Sequence, residues 1–102
     1  PVADFKANVF DELVASGMSR IPTGMLYEIF CNYCEQQNYK KWSQKSFNKQ
    51  LKELIGSDWE QRRMKYLPEF IGKIQVIEDI GLETHGIAPK VNNVQTTWIY
   101  TK

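Results

Sequence analysis

The chain has 102 residues, 42% hydrophobic and 25% charged, with two cysteines and one histidine. That is one domain large enough to bury its own core, with a composition ordinary for a soluble globular protein. No apolar run approaches the roughly 18 to 20 residues that span a bilayer. The net charge of +1 hides a segregation: 40–65 holds eight basic and three acidic residues, a net of +5, and the remainder is −4.

Opening on Pro1, the chain reads as a domain excised from a longer protein. In the first segment, DFKANVFDELVASG, the apolar residues Phe5, Val9, Phe10, Leu13 and Val14 recur at spacings of three and four. That is the stripe of an amphipathic helix, with Asp4 as N-cap and Gly17 as its stop. MSRIPTG is then a connector, in which Pro22 blocks helix continuation and Thr23 can cap the next helix. That helix, GMLYEIFCNYCEQQN, sets Leu26, Phe30, Tyr33 and Cys34 on one side with Met25 and Ile29 beside them, and Asn38 suits a left-handed terminator.

The stretch KKWSQKSFNKQLKEL puts five lysines into fifteen residues. Ser43 is the natural N-cap of a third helix from Gln44 to about Ile55, ended by Gly56. Phe47, Leu51, Leu54 and Ile55 make its apolar stripe, and Lys45, Asn48, Lys49 and Lys52 fall opposite. WEQRRMKYL, from Trp59 to Leu67, and the C-terminal VQTTWIYTK read as two strands of an antiparallel ribbon. Between them IGKIQVIEDI fits either a further strand or a short helix over the core, and Gly81, Gly86, Pro89 and Asn92-Asn93 punctuate loops.

The chemistry-bearing residues point away from an enzyme. His85 has no patterned partner, and the neighbouring acids Asp11-Glu12 and Glu78-Asp79 point apart on any regular element. Cys31 and Cys34 lack the four-ligand set of a structural zinc and the βαβ context of a redox motif, so they read as core cysteines of a reducing cytoplasm. No catalytic residue, metal or cofactor is expected in this chain.

Three helices followed by a β-ribbon, with the third helix basic outside, is the order of a winged helix-turn-helix, an α+β fold. The run MLYEIFCNYCEQQNYKKWSQKSFNKQLKEL also resembles the C-terminal winged-helix domain of phage and plasmid replication primase-helicases, including satellite-phage alpha-type and poxvirus relatives. Leu26-Tyr27, Phe30, Cys34, Tyr39, Ser43, Phe47 and Leu51 carry the resemblance, and RFX-type domains are similar through the same stretch, with a counterpart to their arginine-bearing strand in QRRMKY. It covers about 9–66 and the last eight or so residues. From Pro68 the chain departs, with an insertion at 68–93 where the family has a short wing turn. The resemblance implies a DNA-binding module of a replication protein, acting on origin DNA or holding DNA for the helicase. The primase and NTPase sites would lie in other domains of the parent protein, consistent with the lack of a GxxxxGK[ST] loop here. A phage-derived parent would work in the bacterial host cytoplasm.

The DNA contacts expected on the third helix are Lys45, Asn48, Lys49 and Lys52, flanked by Ser46 and Gln50. Arg62, Arg63 and Lys65 would supply wing or backbone contacts, and Lys40 and Lys41 would reach flanking phosphates. Trp42 is expected to pack at the helix start, and Trp59 and Trp98 to belong to wing and core. The alternative is a protein-docking or oligomerisation module, for which 68–93 offers a long apolar-rich insertion (Phe70, Ile71, Ile74, Val76, Ile77, Ile80) that would block DNA docking if it covered the basic helix face.

Overall fold

The structure, a computed structural model, describes residues 1–66, 74–82 and 95–102. At the N-terminus α1 (Val2–Phe5), a π-helical turn (Lys6–Phe10) and α2 (Asp11–Ala15) run end to end, with right-handed helical backbone at every junction. Val2, Phe5, Val9, Phe10 and Leu13 are all buried, as their spacing requires. The start differs from expectation. Burial of Val2 draws the helix to that residue, so Asp4 is not the cap but lies in the first turn, where its carboxylate accepts a 3.2 Å hydrogen bond from Tyr39 Oη.

The connector contains a strand, β1 (Arg20–Pro22). Three residues are too few to show a period of two, and their partners come from the other end of the chain: Arg20 faces Thr101, Ile21 faces Tyr100 and Pro22 faces Ile99. Pro22 is tolerated because β1 is an edge strand. The next helix, α3 (Thr23–Gln37), starts directly from this strand with Pro22 as its cap residue, so Thr23 is buried in the first turn and does not act as the cap. Met25, Leu26, Ile29, Phe30, Tyr33 and Cys34 are buried along α3.

α4 (Gln44–Ile55) has the expected bounds, with Ser43 capping and Gly56 following at φ 77°. β2 (Glu60–Tyr66) and β3 (Gln95–Thr101) pair antiparallel along their whole length. The ribbon is therefore part of a three-stranded antiparallel sheet in the order β1-β3-β2. Of the 68–93 segment, 74–82 is described, and within IGKIQVIEDI it forms a helix, α5 (Ile74–Asp79). Ile77 and Leu82 enter the core. Residues 67–73 and 83–94, including Phe70, Ile71 and His85, lie outside the described residues.

Three helices end by one device. Gly17, Asn38 and Gly81 adopt positive φ, and the two amides closing each end bond back to the last turn: Gly17 N to Val14 O and Met18 N to Leu13 O, Asn38 N to Glu35 O and Tyr39 N to Cys34 O, Gly81 N to Glu78 O and Leu82 N to Ile77 O. At the centre Phe30 and Phe47 stack at 4.3 Å between centroids, and Phe5 meets both edge-on at 5.3 and 5.5 Å. This cluster joins the N-terminal helix, α3 and α4, and so fixes which way α4 faces. No helix among the described residues is long and apolar enough to cross a membrane.

Candidate nucleic-acid interface

α4 presents its basic side because its other side is held. Phe47 and Leu51 are fully buried, and Leu54 and Ile55 pack against the core. At about 100° per residue, Lys45, Lys49 and Lys52 fall within about 60° of one another, on the side away from that stripe. All three are exposed, as are Ser46 and Glu53. The cap is well formed: Ser43 Oγ accepts from Ser46 N at 3.2 Å and donates to Ser46 Oγ at 3.0 Å. Ser46 is thus engaged in starting the helix, a role its sequence position did not reveal.

Asn48 borders the lysine stripe and is part-buried. Tyr100 Oη donates to its Oδ1 at 2.8 Å, which fastens the C-terminal end of β3 to α4. Asn48 is therefore first a strut between helix and sheet. Burial pushes the Tyr100 phenol up to about 12, with a hydrogen bond from Gln61 pulling the other way, so it stays a donor throughout the neutral range.

The ribbon sorts the remaining candidates. Gln61, Arg63 and Lys65 lie opposite Tyr100, Trp98 and Thr96, and residues directly opposite share a face. Tyr100 meets α4 on that face, so Arg63 and Lys65 continue outward from the lysine-bearing helix. Arg62 alternates to the other face with Glu60, to which its Nε pairs at 2.9 Å. Arg62 and Arg63, adjacent in sequence and both expected to serve the wing, thus look in opposite directions.

Lys40 and Lys41 are exposed in the link before α4. Lys41 and Gln44 line one side of an open cavity of about 410 Å³, whose other walls come from α3 at Gly24, Tyr27, Glu28, Cys31 and Asn32. Trp42 packs against the core, and its carbonyl accepts from Tyr27 Oη at 2.8 Å, so it does belong to the helix start. Trp59 is a core residue edge-on to Phe10 at 5.2 Å, with Lys102 Nζ 5.7 Å above its ring. Cys34 is buried, which raises its thiol above the ordinary range, and Cys31 is half-buried; both are free thiols. Among the described residues no group of three or more His, Cys, Asp or Glu could hold a metal ion.

Two residues of this face were not among the expected contacts. Tyr100 is the link to α4, and Trp98 is the most exposed of the three tryptophans, at 50%. The alternation in TTWIY puts both on one face of β3, but their surroundings follow only from the register with β2.

No curated protein and no solved structure matches the chain. The family model described as poxvirus D5 protein-like matches residues 1–82, which takes in every helix among the described residues, the capped start of α4 and the Arg62–Arg63 strand. This supports a primase-helicase-related, replication-associated domain. The chain belongs to the poxvirus D5 protein-like family.

Proposed function

We propose that the chain is a winged-helix DNA-binding module of a replication primase-helicase from a phage or other mobile element, recognising origin DNA or holding DNA for the helicase. In this reading α4 is the recognition helix and the β2–β3 ribbon is the wing. The observation that carries it is the shared face: exposed Lys45, Lys49 and Lys52 on α4, tied through Asn48 and Tyr100 to the ribbon face bearing Arg63 and Lys65. The chain contributes binding and no catalytic centre, and its partners are DNA and the other domains of the parent protein.

Lys40 and Lys41 serve flanking phosphates. Arg62, ion-paired on the far face, is peripheral. The 68–93 segment would block DNA docking on α4 if it covered the basic face. The described part of that segment instead lodges elsewhere: α5 packs on α2, and Gln36 at the end of α3 donates to Gly81 O.

The test is a fluorescence-polarisation titration with random duplex and single-stranded DNA at two salt concentrations. Contact with four to six phosphates predicts a log–log salt slope of about −4 to −5. Replacing Lys45, Lys49 and Lys52 together by Ala should abolish binding without unfolding the domain. Unchanged affinity in that variant would refute α4 as the recognition helix.

A further inference from the structure

An exposed tryptophan in the central strand of a small sheet is an unusual use of a large apolar surface. Single exposed hydrophobic residues are common on proteins, so exposure alone says little about Trp98. Its neighbours say more. Trp98 lies directly opposite Arg63, and one pair further out Thr96 lies opposite Lys65 on the same face. One pair inward, Tyr100 is fastened to Asn48 on the flank of the lysine stripe. The ring is therefore offered beside two cations, at roughly 7 Å along the strand from the point where helix and ribbon join.

An aromatic face flanked by cations is what an unpaired nucleotide needs: a surface for the base and charges for its phosphate. A paired base within a duplex offers no free face to such a ring. We infer that Trp98 stacks on an unpaired base, with Arg63 and Lys65 on the adjoining phosphates, so that the ligand is DNA with a single-stranded extension next to the duplex held by α4. This rests on the DNA-binding reading and narrows its substrate to junctions between paired and unpaired DNA.

The experiment uses the 102-residue chain and three probes labelled alike: a blunt duplex, the same duplex with a short unpaired overhang on either strand, and the unpaired strand alone. Stacking on one base predicts that one overhang polarity binds at least about fivefold more tightly than the blunt duplex. Trp98→Ala should remove that preference while leaving blunt-duplex affinity and melting temperature close to the parent, since the side chain is half-exposed. Trp98→Phe, which keeps a ring, should retain most of the preference. Equal binding of blunt and overhanging DNA by the parent chain would overturn the inference while leaving the DNA-binding reading intact. An equal loss on all probes in Trp98→Ala would overturn it too, making Trp98 a general contact. Absence of salt-dependent binding to any probe would overturn both readings at once.

Discussion

The aromatic cluster and the outer half of the ribbon are held together by different means. In the cluster Phe5, Phe30 and Phe47 are 0% exposed and touch one another ring to ring. In the ribbon beyond Tyr100 the strands are joined by backbone pairing, while Arg62, Arg63, Lys65 and Trp98 stay at the surface. Packing consumes the side chains of the first region to fix helix orientation. Strand pairing leaves the side chains of the second available to a partner. Stability and the proposed DNA binding thus fall to separate residues, and Tyr100 to Asn48 is a point where the two regions meet.

The largest effect should come from the cluster. Phe47→Ala removes a ring that packs against both Phe5 and Phe30, and about 3 to 5 kcal/mol of stability is expected to go with it. Urea unfolding measures this, and a midpoint close to the parent's would mean that the cluster does not orient α4. The converse experiment is Arg63→Ala with Lys65→Ala. The fold should be unaffected, while the salt slope of binding to the overhanging duplex falls by about one for each phosphate that is no longer neutralised. An unfolded double variant would erase the division of labour.

Tyr100→Phe probes the junction and should cost about 0.5 to 1.5 kcal/mol for the missing hydrogen bond, with an unchanged urea m-value. The same residue gives a pH signature. Its phenol is raised from 10.0 to about 12 in the folded chain, so above pH 10 the unfolded state releases its proton first. Stability associated with Tyr100 is fully present below pH 10 and is lost as pH rises toward about 12. Thermal melts across that window should fall less steeply in Tyr100→Phe than in the parent. A parallel decline would show that the phenol is not buried against α4.

The smallest effect is expected at Arg62→Ala. The pair with Glu60 is about two-thirds exposed on both sides and contributes little to stability, within about 1 kcal/mol. Because Arg62 lies on the other ribbon face, DNA affinity should barely move. The contrast with Arg63→Ala in the same titration tests the strand register directly, and equal losses at the two arginines would contradict it.

The helices were legible in the sequence because what makes them is local. Ser43 before an amphipathic run and Gly56 after it define α4 through interactions no more than four residues apart, and the basic face follows from its period. Asn38 and Gly17 end their helices for an equally local reason, the left-handed backbone they accept. Where a helix begins is less local. Val2 and Pro22 displaced Asp4 and Thr23 from their expected capping roles because the core and β1 claimed the preceding residues.

The sheet lay beyond local pattern. β1 is three residues long and is defined only by Thr101, Tyr100 and Ile99 at the far end of the chain. That same register separates Arg62 from Arg63, turns Asn48 into a strut and leaves Trp98 in the open. By itself, then, the sequence determined the helices up to Ile55, which face of α4 is basic and the two strands of the ribbon, while it left IGKIQVIEDI open between strand and helix. The tertiary structure alone decided which cations share a side with those lysines, because strand partners are chosen by long-range pairing and a shift of one residue would invert every side chain on the ribbon.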